Sequence, residues 1–485
     1  MHARGRLVRL ALGAALVLGS VTAVAPATVA SANSAIESFS LSGSPFAAAF
    51  APLPTQVTLN LSLVRDAQVT ITIRRPNGTR VIALAKSFPM TAGDHSWTWN
   101  GITERGRIAG DGTYTARVLA VSATGTERVD RSLRKGLPSI FPANPGVLVV
   151  AVDPGHGGRF TGAVSDGYME KDFNLDIGLQ LQALLEHAGV QVVMSRTTDV
   201  AVDEPASDEN GDGVLDRYDD DLLRDDSANI ARADVDVHVH NNFAPGSTAH
   251  GTATYTSRSR TWTPQATDLA TLMLHEEMTA LQAYTSVDFR PRDRGVHYGW
   301  YYYVGPYDPP FLPRPALPVS VLSESLFLSN PAELAALRRP DVRLSIAAAI
   351  YLGLADYLNT RPYGAGYALT SAAPSGAIAG STVAYHLKVT NRGNVASDGW
   401  TLQLGIVPQV PVYDGSGAYG APIGSIAVPD GLQAGQSVQL AVDATMPAQP
   451  GDWLVKTDIT LSDGSRLSDA GIVPLQLPLT TTIAP

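Results

Sequence analysis

The stretch Val147-Leu-Val-Val-Ala-Val-Asp-Pro-Gly-His-Gly-Gly158 decides the fold class. Six consecutive apolar residues read as a strand buried on both faces, and the Asp-Pro-Gly-His-Gly-Gly that follows cannot continue it. The strand therefore ends on a tight loop that displays His156. Gly155, Gly157 and Gly158 let the backbone bend closely around whatever that imidazole binds. In open α/β sheets chemistry collects outside the carboxyl ends of strands, so His156 stands where a ligand or a general base would stand. Two further signals join it. Glu170 follows fourteen residues later at the head of a helix, in Glu170-Lys-Asp-Phe-Asn-Leu175, and a second strand, Val235-Asp-Val-His-Val-His240, delivers His240 at its end. Two neutral imidazoles and a carboxylate, with a fourth position left to water, form a ligand set for catalytic zinc.

Around this stretch strand and helix signals alternate, which predicts an α/β domain over residues 146–360 with a mostly parallel, twisted sheet covered by helices. Phe173, Ile177, Leu181, Leu184 and Ala188 recur at helical spacing until Gly189, and Val190 to Met194 form the next strand. Leu269, Leu272, Met273, Glu276 and Leu281 mark another helix. Asn330-Pro-Ala-Glu333 reads as a capping-box start with Pro at the first helical position, and a helical run from Leu344 to Leu358 closes the domain.

At the level of whole motifs the chain becomes more specific. Val152-Asp-Pro-Gly-His-Gly-Gly158, Glu170-Lys171, Ser195-Arg-Thr-Thr-Asp199, Ala233-Asp234, His240-Asn-Asn242, Arg292-Asp-Arg-Gly-Val296 and Glu324-Ser-Leu-Phe-Leu-Ser-Asn-Pro331 follow one another in the chain. Over roughly residues 146–360 this order resembles the zinc-dependent N-acetylmuramoyl-L-alanine amidases of the type 3 family. The resemblance implies a hydrolase that cuts the amide between N-acetylmuramic acid and L-alanine in peptidoglycan, in wall remodelling or lysis. It implies His156, Glu170 and His240 as zinc ligands and Glu324 as the catalytic carboxylate. One residue departs from the pattern: these amidases usually carry a small residue, often Ser, where this chain has His238. His238 shares the polar face of its strand with Asp236 and His240, because alternate residues point the same way. It is open to reading as a supporting partner, a substrate contact, an alternative ligand or a satisfied buried histidine. His238, Asn242 and Arg294 are the candidate substrate contacts, and the tyrosine-rich run from Tyr298 to Tyr307 offers stacking faces for a sugar or ordinary packing.

The chain has 485 residues, 35 basic and 45 acidic, for a net charge of −10. That length exceeds one ordinary core, and that charge argues against a nucleic-acid partner. Arg4, Arg6 and Arg9, the apolar run Leu10 to Leu18 and then Ala30-Ser-Ala32 have the three regions of a secretory signal peptide over residues 1–32. No later stretch approaches the roughly 20 apolar residues that span a bilayer, so a secreted or cell-envelope protein without a membrane span is expected. With no cysteine, a metal must use His and carboxylate.

Residues 35–135 alternate in short periods, as in Val57 to Leu63 and Val69 to Ile73, and read as a β-sandwich. Trp97-Thr-Trp-Asn-Gly101, Gly106 and Asp111-Gly-Thr-Tyr-Thr115 resemble the immunoglobulin-like domain of flagellar hook-capping proteins, which implies Trp and Tyr in the core. After a linker over residues 359–366, residues 367–478 carry period-two strands and read as a second immunoglobulin-like sandwich, with a frayed tail from Leu479. Between Asp199 and Asp226 lies an insertion with twelve acidic residues and two Arg. Within it Asp208, Asn210, Asp212, Asp216 and Asp219, with the Val214 carbonyl and Gly213 at the sixth position, match the spacing of a calcium loop. Calcium and a merely solvated acidic loop are the two readings. For the whole chain the alternatives to a peptidoglycan amidase are a zinc amidase acting on another amide and a catalytically silent wall-binding or adhesive protein. The intact quartet His156, Glu170, His240 and Glu324 argues against silence.

Overall fold

The computed structural model describes residues 34–47, 53–286, 288–299, 301, 304, 313–314, 316–410 and 419–483. The expected signal peptide over residues 1–32, and Trp300, Tyr302, Tyr303 and Tyr307 of the tyrosine-rich run, lie outside them.

The Val147 stretch becomes β1 (Val149–Pro154), and all six of its residues are buried. Around it stand β2 (Gln191–Met194), β3 (Val235–Asn242), β4 (Thr252–Thr256), β5 (Asp293–Tyr298) and β6 (Val319–Phe327), in the order β2-β1-β3-β6-β4-β5. β2, β1, β3 and β6 run parallel, whereas β4 pairs antiparallel with β6 and parallel with β5. The expected mostly parallel sheet is therefore mixed at one edge.

The helices are α1 (Glu170–His187), α2 (Arg217–Ala231), α3 (Thr263–Gln282), α4 (Pro331–Leu337) and α5 (Pro340–Thr360). α1 buries Phe173, Ile177, Leu181, Leu184 and Leu185 along one side, the i, i+4 spacing read in the sequence. One sheet face, with Val150, Val152, Val235, Val237, Val239, Val319 and Val321, shares a core with α1, α3 and α5. α2 lies on the other face, where the described residues form two small apolar clusters, one of Val149, Ala151, Ala228 and Ala233 and one of Val304 and Leu322. The rest of that interface is polar: Asp153, Asp236, His238 and Ser320 of the sheet are each at most 2% exposed.

Three local expectations change. The acidic insertion is not a loop throughout, because its second half is the N-terminal part of α2, capped by Asp216 with Asp219 closing the box. At α4 the cap forms by half: Asn330 accepts from the N–H of Ala332 and Glu333. The Glu333 carboxylate turns away to accept the N–H of Gly251 and of Phe327, both at 2.7 Å, because those strand-end donors are buried and have greater need of it. The tail from Leu479 is ordered strand over Gln476–Thr482, paired with Gly451–Thr460 and with Gly376–Ile378.

Each flank is two sheets around one core. The N-terminal unit has a three-stranded and a four-stranded antiparallel sheet between Ile36 and Lys135. Trp99 and Tyr114 are buried there, edge-on at 5.2 Å, as the aromatic pattern implied. Trp97 lies outside this pair, stacked on His95. The C-terminal unit has sheets of three and five strands between Ala365 and Thr482 around Tyr385, Trp400 and Leu402. Both flanks dock on the centre: the Leu41 N–H of the N-terminal unit donates to the Ala283 carbonyl beyond α3 at 3.0 Å, and Arg361 at the end of α5 bonds both Asp234 and the Arg392 carbonyl.

Candidate active site at the carboxyl edge of the sheet

β1 ends at Pro154, and His156 stands in the left-handed region with φ 61. A side chain in that conformation costs about 1–3 kcal/mol and persists only where the surroundings impose it. Here two buried guanidiniums do so. Arg196 donates to the carbonyls of Pro154 and Gly155, and Arg224 to those of Pro154 and His156. Lys171 adds a bond to the Gly158 carbonyl and a 2.7 Å pair with Asp199, whose other oxygen accepts the Gly158 N–H. Gly155 is required by proximity: a Cβ there would lie 2.0 Å from His240 Nε2.

His240 enters from β3 and Glu170 from the first turn of α1. Glu170 Oε2 lies 3.2 Å from His156 Nε2, Oε1 lies 3.1 Å from His240 Nδ1, and the two imidazole centres are 4.9 Å apart. Glu170 is held in turn by the N–H of Ala163 and of Asn241 and by the Asn174 amide, one helical turn along. Burial alone would raise the Glu170 carboxyl, but hydrogen bonds from His156 and His240 hold it well below the usual range, so it is an anion. Burial lowers His240, which favours the neutral imidazole that a metal needs.

One ligand atom each from His156, Glu170 and His240 lies within 4.8 Å of the other two, close enough to hold one metal ion. The donor set suits zinc, and the absent Cβ atoms at Gly155 and Gly162 keep the space around it open. Glu324 supplies a further sign. It is the β6 neighbour of His240 in register, and its Oε2 is buried with no hydrogen-bond partner among the described residues. Burial and the charge of Glu170 push its carboxyl well above the usual range. β6 runs on to Phe327, so Glu324 sits on a rigid element.

The candidate substrate contacts divide. His238 is fully buried, with Nδ1 at 3.0 Å from Asp153 and Nε2 at 3.1 Å from Asp236, so no substrate reaches it. Burial would lower its pKa, but the two carboxylates push it up to about 10. Asn242 and Arg294 do lie at the rim, Arg294 exposed with its guanidinium 5.0 Å from the Phe327 ring centre. Sequence reading missed Tyr255 of β4, which packs against His297 at 5.1 Å and Tyr301 at 5.0 Å and whose phenol is raised first by burial and then by nearby Glu324. A lone tyrosine in a threonine-rich strand gives no signal of that position.

Among the described residues, no three of the calcium-loop carboxylates come together as a group that could hold an ion. Asp208 accepts the N–H of Gly211, Asp212 and Gly213; Asn210 accepts that of Asp212; Asp212 accepts that of Val214. Asp216 caps α2 through the Tyr218 N–H, and Asp219, fully buried, takes the N–H of Glu209, Asn210 and Asp216. The carboxylates thus serve the backbone, and this geometry carries no calcium assignment.

Residues 150–356 match the family described as N-acetylmuramoyl-L-alanine amidase. Over 208 residues the chain is 26% identical to the N-acetylmuramoyl-L-alanine amidase LytC of Bacillus subtilis, a match covering 43% of this chain and 35% of that relative. It is 28% identical over 222 residues to the endolysin of Bacillus phage SPP1, covering 45% of this chain and 69% of that protein. Among solved structures it is similar to the catalytic domain of CwlV, an N-acetylmuramoyl-L-alanine amidase from Bacillus (Paenibacillus) polymyxa. That likeness has 28% identity, covers 44% of this chain and 98% of that one, and has a TM-score of 0.33. The matched segment holds β1, α1, β3 and β6 with all four of His156, Glu170, His240 and Glu324, and it belongs to the N-acetylmuramoyl-L-alanine amidase family of type 3.

Proposed function

We propose that the chain is a secreted zinc hydrolase that cleaves the amide between N-acetylmuramic acid and L-alanine in peptidoglycan, flanked by two β-sandwich units. The observation that carries this reading is the convergence of His156, Glu170 and His240 beside a buried Glu324 whose Oε2 has no hydrogen-bond partner among the described residues. When bound, zinc would supply an acidified water and a polarised carbonyl. The residues of the chain do the rest. Glu170 stays ionised and fixes the rings of both histidines. Glu324 takes a proton at its carboxylate and returns it to the leaving nitrogen, and its surroundings favour the protonated form once it has accepted. Asn242 and Arg294 at the rim, and the aromatic wall of Tyr255, His297 and Tyr301, are placed to contact the substrate. Residues 1–32 act as the export signal.

The test is release of dye from labelled peptidoglycan. The reading requires activity that chelation abolishes and zinc restores, with His156→Ala and His240→Ala losing both the metal and the activity. Full activity after complete metal removal overturns it.

A further inference from the structure

An interface between a helix and a sheet is ordinarily apolar, but the one beneath α2 is built from charge. Asp153, Asp236, His238 and Ser320 rise from the sheet, and Asp220, Arg224 and Asp225 descend from α2, each at most 2% exposed. Most of these groups are satisfied. Arg224 bonds Asp153 and Asp220 and the carbonyls of Pro154 and His156. Asp225 is the exception: it is fully buried, and neither carboxylate oxygen has a hydrogen-bond partner among the described residues. An unpartnered buried carboxylate is among the costliest groups a fold can carry, so its persistence calls for a counter-charge.

We propose that Asp225, Asp236 and His238 bind a second divalent cation of the zinc type, separate from the ion assigned to His156, Glu170 and His240. One ligand atom from each of the three residues lies within 4.8 Å of the others. His238 Nδ1 donates to Asp153 Oδ2 at 3.0 Å, which turns Nε2 toward Asp236 Oδ2 at 3.1 Å. A carboxylate that orients a histidine from behind is the usual support of a metal-bound imidazole. Ligands about 2.1 Å from a tetrahedral ion lie roughly 3.4 Å apart, so the Nε2 to Oδ2 spacing is that of two neighbouring ligands. The Ser320 hydroxyl, 3.4 Å from His238 Nε2 and 3.3 Å from Asp236 Oδ2, stands beside both. A dication balances the two carboxylates and leaves the imidazole neutral. With every ligand buried the site is closed and structural, taking its ion as the chain folds. It ties α2 to β3 below the His156 loop, which Arg224 of the same helix holds.

The experiment is the metal content, by plasma mass spectrometry, of the full chain folded with zinc supplied. The parent should hold two zinc ions per chain, the His156→Ala/His240→Ala variant one, and that variant with Asp225→Asn added none, all with the far-ultraviolet dichroism of the parent. X-ray absorption of the single remaining ion should show oxygen and nitrogen neighbours with one imidazole. A folded His156→Ala/His240→Ala variant without metal overturns the proposal and leaves Asp225 as a buried proton carrier. A remaining ion with two imidazoles, or one that survives Asp225→Asn, overturns it equally. This variant alone decides between one ion and none should the triple variant fail to fold. A parent with one ion, unchanged in the double variant, would instead refute the zinc site of the proposed function.

Discussion

At the residue scale the site depends on a few side chains that cannot be exchanged for near neighbours. Glu324→Gln fills the same space but cannot accept a proton. Turnover should fall by about 100-fold or more with metal content unchanged, since positioned acid–base groups contribute about 10²–10⁴-fold. Activity within about threefold of the parent, near 0.7 kcal/mol, would remove Glu324 from its role. Gly155→Ala should lower metal occupancy and stability together, because the added methyl would collide with the His240 ring. Metal content and melting temperature both unchanged would contradict that packing. The candidate ligands were legible because Glu170 opens a helix and His156 and His240 lie within two residues of a strand end, where a pattern marks them. His238 was legible only as a departure. Its burial between Asp153 and Asp236 depends on β1 and β3 being neighbours in register, which no local pattern states.

At the element scale, α1, β1 and β3 emerged within a residue or two because buried parallel strands and one-sided helices have distinct periods. The insertion was harder to read, since Asp219 fits both the last position of a calcium loop and the third residue of a capped helix; here the backbone donors at the start of α2 decide. Glu277 of α3 is another element-level feature. It is fully buried against β6, accepting the hydroxyls of Ser323 at 2.7 Å and Ser325 at 2.8 Å, yet burial prevails and pushes its carboxyl up to about 7. An acid whose folded pKa exceeds the unfolded value of about 4.3 contributes stability below that lower value and loses it as pH rises to about 7. Glu277→Gln should therefore leave the melting temperature at pH 4 nearly unchanged and raise it at pH 8, by up to roughly 3 kcal/mol of stability. A parent and variant whose melting temperatures differ equally at both pH values would show that the carboxyl is ionised throughout.

At the scale of the whole molecule the central domain and the C-terminal sandwich meet at Asp234, the acid of the Ala-Asp motif. It accepts the Val149 N–H at the start of β1 and pairs with Arg361 at 2.6 Å and with Arg392 of the C-terminal sandwich at 3.2 Å. Breaking a buried pair strands its partner, at about 3–5 kcal/mol. Arg361→Met should thus lower the melting temperature and separate the C-terminal sandwich into its own calorimetric transition; one unchanged transition would mean that the junction is held elsewhere. The flanks were legible as sandwiches, but their docking was not, because the contacts join residues hundreds of positions apart, such as Ser44 with Ser345. The most direct test of the proposed reaction is to identify the ends released from purified peptidoglycan. The account predicts new L-alanine amino groups matched by new lactyl carboxyls on muramic acid, and no new reducing sugars. New reducing ends, or amino groups from any residue other than L-alanine, would contradict it.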